Sequence, residues 1–115
     1  MTERAPQRGE IWIVDFGTPI GHEQGYRRPA VIVSDDRLNR SKAQLALVVP
    51  ITSTRRGLAS HIEIEPGDSG LDVTSYAKSE DVKSVSLLRL SRRLGAIPVE
   101  GLRRLERALR LMLAL

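Results

Sequence analysis

The stretch Leu45–Ile51 (LALVVPI) is the apolar run that decides the fold of this chain. It is rich in aliphatic and β-branched residues and is too short for a typical helix, so it predicts a buried strand. Pro29–Ser34 is a second β-branched run of the same kind. In Ile11–Phe16 alternate side chains would fall on opposite faces, which predicts a first strand.

Further short strands follow at intervals typical of an all-β domain. They are predicted at His61–Ile64, Val73–Ala77, Val82–Val85 and Arg93–Ile97, which makes six or seven strands in all. The polar segment 35–42 separates two of the long strands, and we expect a short turn of helix there, with Asp35 and Asp36 as a turn or cap pair.

The C-terminal end changes its period. Apolar side chains recur at steps of three and four, as in one stripe of an amphipathic helix running from about Pro98 to the end: Leu102, Leu105, Leu109 and Met112. The pattern therefore predicts a mainly β domain, a small and strongly bent antiparallel barrel of SH3-like type, with this helix packed against it. Leu111, Leu113 and Leu115 lie partly off the stripe, which predicts a second buried surface and, most simply, a homodimer contact.

The length of 115 residues suits one domain, which we place at residues 9–115 after a polar N-terminal arm of residues 1–8. The chain has no cysteine, which excludes a disulfide framework, a thiolate zinc site and a cysteine nucleophile. The lack of cysteine fits a reducing compartment, and we expect a cytoplasmic protein. No apolar run is long enough for a signal peptide or a membrane span, so neither is expected.

Charge is unevenly distributed along the chain. The formal net charge is +4, with 15 Arg and 3 Lys among the basic residues. Residues 89–115 carry a local +5, from seven Arg and two Glu, whereas residues 61–88 carry −4, from two Lys and six acids. An excess of arginine favours forked contacts to phosphates and carboxylates, so a nucleic acid or an acidic protein segment is the natural partner. Solvated faces and internal ion pairs are the alternative for these arginines.

The loop Gly21–Pro29 carries the densest group of reactive side chains. It brings His22, Glu23 and Arg28 within eight positions of a Gly-rich segment that leads into a strand. Pro29 favours an extended backbone at Arg28, which directs that side chain. A metal site is not expected, because the chain has two histidines and lacks metal-binding spacing. His61 is interpreted as an ordinary strand residue.

Several segments in this order resemble the MazF/PemK/Kid family of toxin endoribonucleases. They are Arg8–Trp12, Gly21–Gly25, Arg28–Val31, Val49–Ser53 and Lys78–Val85. The similarity runs from about residue 8 to the end, and the terminal helix falls where the family has one. The resemblance implies a homodimer that cleaves single-stranded RNA at a short sequence, independently of the ribosome and without metal or cofactor, and that is restrained by a cognate MazE-like antitoxin with an acidic tail.

The implied reaction makes definite demands on side chains. The ribose 2′-hydroxyl loses a proton and attacks the adjacent phosphorus, which gives a 2′,3′-cyclic phosphate and a 5′-hydroxyl. Arg28 matches the family's catalytic arginine, and a guanidinium suits the charge that gathers on the phosphoryl oxygens. Thr52 matches the family's catalytic threonine, whose hydroxyl can donate to the same phosphate; a plain strand-end threonine is its alternative reading.

The proton-transfer groups are less sharply defined. Glu23, Glu80 and His22 are base candidates in descending order, and Arg28 is a candidate acid. A carboxylate that acts as base at neutral pH should have a raised pKa. Lys78 and Glu80 stand where some family members have Arg and Asp, which keeps the charge but alters reach.

Strand-positioning groups are expected on both sides of these residues. The candidates for RNA binding are Gln24, Thr54, Arg55, Arg56, Lys78 and Lys83. A solvated hairpin loop is the alternative reading for residues 53–60.

Two other functions are left open by the sequence. The first is a gyrase-binding toxin similar to CcdB, but that family depends on a C-terminal Trp-Gly-Ile, and this chain ends Leu-Met-Leu-Ala-Leu. The second is a non-catalytic barrel that binds RNA or protein, which the exchanges at Lys78 and Glu80 keep open.

Overall fold

A computed structural model describes residues 5–17 and 26–115 of the chain. This part contains seven strands and two helices, in the order β1 Glu10–Asp15, β2 Arg27–Ile32, α1 Asp36–Asn39, β3 Leu45–Thr52, β4 His61–Ile64, β5 Ser75–Lys78, β6 Lys83–Ser86, β7 Leu90–Ala96 and α2 Val99–Leu113. Every strand predicted from the sequence is present, with ends displaced by at most a few residues. The class is mainly β with a C-terminal helix, as predicted.

The strands form one antiparallel sheet in the order β4-β5-β3-β2-β1-β7, and β6 pairs with β3 off this path. The expected barrel is not closed, because β4 and β7 form no ladder with each other in the described residues. The turn after β4 packs against β7 instead, where the Ala96 amide donates to the Asp68 carbonyl over 3.0 Å. Gly95 permits this approach, since a Cβ there would collide with the same carbonyl.

Both faces of the central strands are buried. Ile11 of β1 belongs to a large cluster that also contains Val31, Val49 and Ile62. Val14 of the same strand belongs to a second cluster, with Trp12 and Phe16 packed against it. The alternation read from Ile11–Phe16 is therefore confirmed, and each face of β1 has its own core.

Helix α2 covers the larger cluster. Leu105 is fully buried, and Leu102 and Leu109 pack against the cluster as the stripe predicts. Met112, the last residue of the predicted stripe, is 40% exposed. The helix begins at Val99, and Pro98 precedes it as a cap residue without a side-chain hydrogen bond.

Short α1 and the N-terminal segment are tied together. The Asp35 carboxylate caps α1 by accepting from the Arg37 amide over 2.8 Å, as expected for a cap residue. The Arg8 amide donates to the Asp36 carboxylate over 2.7 Å, and the Arg8 guanidinium pairs with Glu106 of α2. The boundary of the arm at residue 8 stays a prediction, but Arg8 itself is bonded to both helices.

No helix in the described part of the chain is long and apolar enough to cross a membrane.

Candidate active site

Arg28 and Thr52 meet at one open cavity of about 560 Å³. Arg28 comes from β2 and Thr52 from the end of β3, strands that are hydrogen-bonded neighbours in the sheet. Three further hydroxyl residues line the same cavity: Ser53, Thr54 and Ser75. Two residues from separate segments therefore converge on one cavity.

The backbone places these two side chains for local reasons. Arg28 lies opposite Val14 in the pairing of β1 with β2, and it is exposed although Ala30, two residues further along the strand, is buried. Thr52 ends β3, and its hydroxyl oxygen accepts from the Thr54 amide over 3.1 Å, which turns the chain away from the sheet. The hydroxyl hydrogen of Thr52 remains available to donate to a ligand.

Sequence reasoning missed two charged residues of this cavity. Arg92 of β7 and Asp72, which precedes β5, both line it. Arg92 is opposite Ile13 of β1, whose other neighbour is Pro29. Neither residue belongs to a local motif that the sequence analysis could have recognised. Arg92 could have been placed at the cavity only if the pairing of β7 with β1 had been known.

Glu80, a predicted base candidate, lies against His61 instead of lining this cavity. The His61 Nε2 is 2.7 Å from the Glu80 carboxylate, and the His61 side chain is almost fully buried. Burial raises the pKa of Glu80, but the hydrogen bonds to His61, its own backbone and Ser60 and the charge of His61 outweigh this, so the pKa is lowered overall. Glu80 thus does not meet the condition of a raised pKa, and His61 is a paired residue with a specific partner.

The two lysines predicted to bind RNA already have partners. Lys78 forms an ion pair with Asp81 over 2.9 Å, and its side chain is only 15% exposed. Lys83 lies over the ring of Phe16, with its ammonium 5.2 Å from the ring centre. Any contact of these lysines with RNA would compete with interactions inside the protein.

The other predicted RNA-binding residues fall in two groups. Thr54 lines the cavity of Arg28, and Arg55 lines a separate cavity of about 350 Å³ beside His61. Arg56 is exposed in the same loop between β3 and β4. His22, Glu23 and Gln24 lie outside the described residues.

Metal-ligating side chains do not cluster in the described part of the chain. Among residues 5–17 and 26–115, no group of three His, Cys, Asp or Glu side chains is placed to hold a metal ion.

Comparison with known proteins gives a consistent result. A profile of PemK-like, MazF-like toxins of type II toxin-antitoxin systems matches residues 7–113. Endoribonuclease MazF9 of Mycobacterium tuberculosis is 36% identical over 114 residues, with 95% of this chain and 97% of that protein covered.

Two solved structures share the fold over almost the whole chain. The crystal structure of MazF from Deinococcus radiodurans has a TM-score of 0.84 and 25% identity, covering 98% of this chain and 100% of that one. An endoribonuclease in complex with its cognate antitoxin, from mycobacterial species, has a TM-score of 0.78 and 25% identity, covering 96% and 97%. With its strand order, its terminal helix and a profile match over nearly its full length, this chain belongs to the PemK-like, MazF-like family of toxins of type II toxin-antitoxin systems.

Proposed function

We propose that this toxin is a sequence-specific endoribonuclease that cleaves single-stranded RNA without a metal ion. The observation that carries the proposal is the convergence of Arg28 and Thr52 on one cavity. The relatives named as endoribonucleases support the reaction class. A gyrase-binding or non-catalytic barrel is not favoured, because neither explains why these two residues meet in a hydroxyl-lined cavity.

The cavity suits attack by the ribose 2′-hydroxyl on the neighbouring phosphodiester. A base takes the 2′-hydroxyl proton, the 2′-oxygen forms a bond to phosphorus, and the bond from phosphorus to the 5′-oxygen breaks as that oxygen takes up a proton. Arg28 stabilises the negative charge on the phosphoryl oxygens, and the Thr52 hydroxyl donates to the same group. The products are a 2′,3′-cyclic phosphate and a 5′-hydroxyl.

Proton transfer in this scheme falls to Glu23 as the first candidate base, with His22 next. Glu80 ranks last, because its hydrogen bond to His61 keeps its pKa low and ties up the carboxylate. Arg28 remains a candidate donor to the leaving oxygen, a demanding role for a guanidinium, which gives up a proton reluctantly.

The proposed partners are a second copy of this chain and a cognate antitoxin. The apolar residues of the last helical turn and the terminus, including Leu111 and Leu115, are 83% and 87% exposed in the single chain, which supports a homodimer contact there. A MazE-like antitoxin with an acidic tail would dock on the arginine-rich surface and shield the RNA site. We place the protein in the cytoplasm, where mRNA substrates occur.

The test is incubation of the purified chain with a long mixed-sequence transcript in excess EDTA. We expect defined cleavage sites with 5′-hydroxyl ends, and a rate ~10²–10³-fold lower for Arg28→Ala, the loss typical of removing one stabilising donor. Arg40→Gln, an exposed arginine at the end of α1, is the matched control and should cleave like the parent. Intact RNA with the parent, or equal cleavage by Arg28→Ala, would contradict the proposed function.

A further inference from the structure

We propose that Arg92 is a second phosphate-binding residue of the cavity, which holds a phosphate of the RNA strand next to the scissile one. The inference rests on the proposed function, because it takes single-stranded RNA as the ligand. It goes further by assigning a role in substrate binding to β7, a strand that carries none of the residues predicted from the sequence. The argument depends on where Arg92 lies and on whether its charge is available.

Strand pairing puts Arg92 across β1 from Pro29, the residue that follows Arg28. Ile13 of β1 lies between Pro29 of β2 on one side and Arg92 of β7 on the other, so the backbones of Arg92 and of Pro29, the residue after Arg28, are two strand spacings apart, about 10 Å. Both residues line the same cavity. This separation allows each guanidinium to hold a different phosphate of one extended strand.

The pairing of β1 with β7 is irregular at this point. The register shifts between Ile11 and Trp12 and again between Ile13 and Val14, so the pair of Ile13 with Arg92 is flanked by two irregularities. Bulges of this kind redirect side chains and are common beside binding sites. A regular ladder would bury one face of β7 uniformly, whereas residues 91–93 are all exposed.

The charge of Arg92 is not neutralised within the described residues. Its neighbour Arg93 pairs with Glu10 over 2.8 Å, and Arg89 donates to the Asp15 carbonyl over 3.1 Å. Arg92 forms no ion pair in residues 5–17 and 26–115, even though the Asp72 carboxylate lines the same cavity. An exposed guanidinium without a partner, beside Arg28 and several hydroxyls, is suited to bind a phosphate in two-pronged fashion.

Binding of a fluorescent 2′-O-methyl RNA of mixed sequence tests this role without cleavage. The 2′-O-methyl group removes the attacking hydroxyl, so affinity can be measured for the parent, Arg92→Gln, Arg92→Lys and Arg40→Gln over a range of salt concentrations. We expect Arg92→Gln to bind about 10-fold more weakly, as for loss of a charged hydrogen bond. The slope of log K against log salt should become shallower by about 0.7, the value for one phosphate contact to a single strand.

The two other variants separate a direct contact from a general loss of charge. Arg92→Lys should keep the slope of the parent but recover only part of the affinity, because an ammonium lacks the fork of a guanidinium. Arg40→Gln removes the same charge at a residue that does not line the cavity and should match the parent in both measurements. Melting followed by Trp12 fluorescence verifies that each variant is folded.

Several outcomes would overturn the role of Arg92. These are an Arg92→Gln protein with unchanged affinity and slope, an Arg40→Gln protein with the same losses, or a parent that does not bind the 2′-O-methyl RNA. Cleavage of unmodified RNA in EDTA, measured in parallel, reports on the proposed function separately. A parent that cleaves while Arg92→Gln binds normally would leave the nuclease proposal standing and remove Arg92 from it.

Discussion

Ion pairing at the level of single residues divides the arginines of this protein into two groups. Arg8 and Arg93 are held by Glu106 and Glu10, and they serve the fold. Arg28 and Arg92 form no ion pair in the described part of the chain and face a common cavity. Binding RNA there does not require breaking an internal ion pair, and electrostatic attraction to a polyanion is correspondingly undiminished.

The partners of the carboxylates bear on which of them can act as the general base in RNA cleavage. The hydrogen bond between Glu80 and His61 keeps the Glu80 pKa low, so this carboxylate is a weak proton acceptor at neutral pH. Glu23 is the base candidate that the sequence ranks first. Mutation of each residue can therefore distinguish Glu23 from Glu80 as the general base.

We predict that Glu23→Gln lowers the single-turnover rate of RNA cleavage by about 10²–10³-fold, as expected for loss of a general base. Glu80→Gln should stay within about 10-fold of the parent, since it alters a hydrogen bond outside the cavity lining. The measurement is the cleavage rate as a function of pH for the three proteins. Loss of the acid limb of the profile in Glu80→Gln, with Glu23→Gln unaffected, would reverse the assignment.

At the scale of the elements, one buried carboxylate adds a side-chain link to the ladder between β1 and β7. Glu10 is only 5% exposed, and it accepts from the Gln7 amide over 2.7 Å, the Trp12 indole over 3.1 Å and Arg93 over 2.8 Å. Burial raises the pKa of Glu10, but these hydrogen bonds and the charge of Arg93 outweigh it, so the pKa is lowered. The ionised carboxylate of Glu10 therefore helps to hold β7, the strand that carries Arg92, against β1.

We predict that Glu10→Gln lowers the free energy of unfolding by about 1–3 kcal/mol at pH 7, because hydrogen bonds to a buried charge are lost. A carboxylate with a lowered folded pKa stabilises above its unfolded pKa, near 4.5, and loses that contribution as the pH falls through the folded value. The difference in the free energy of unfolding between the parent and Glu10→Gln should therefore shrink as the pH falls below about 4.5. Urea unfolding followed by circular dichroism at several pH values measures it.

A difference that persists or grows in acid would contradict the ionised state assigned to Glu10. Asp35→Asn is a useful comparison, because Asp35 also has a lowered pKa but is exposed at the start of α1, which it caps. Asp35→Asn should lower the free energy of unfolding less than Glu10→Gln does, because the ion pair of Asp35 with Arg37 is screened by solvent.

At the scale of the whole molecule, each face of the sheet has its own apolar cluster, whereas the apolar side chains at the C-terminal end of the chain are exposed. Val99–Leu113 packs its inner stripe on the larger cluster, while Leu111, Leu113 and Leu115 are more than half exposed. Exposed leucines grouped in this way are a liability for a monomer and are typical of a surface between subunits.

We predict that in analytical ultracentrifugation the parent sediments as a dimer of twice 12.8 kDa. The double variant Leu111→Glu, Leu115→Glu should sediment as a monomer. Two buried carboxylates at the contact would cost more than the interface can offset. Leu88→Glu is the matched control, because Leu88 is 96% exposed and lies outside α2. A monomeric parent, or dissociation by Leu88→Glu alone, would show that this surface is not the dimer contact.

The sequence alone determined the elements of this protein and its two main candidate site residues. The strands are visible because β-branched runs such as Leu45–Ile51 leave few alternatives in a chain of this length, and the helix is visible because its period changes to three and four. Arg28 and Thr52 were identifiable because they sit in local motifs that the family shares. Local patterns of this kind depend only on neighbours along the chain.

Only the tertiary structure decided which distant groups meet. That Arg92 and Asp72 join Arg28 at the cavity, that His61 takes up Glu80, and that the sheet stays open between β4 and β7 all follow from strand register. Register depends on the packing of two apolar clusters on opposite faces of the sheet, and a single-residue shift would reverse every side chain. Because that constraint joins residues many positions apart, no local pattern in the chain could have revealed it.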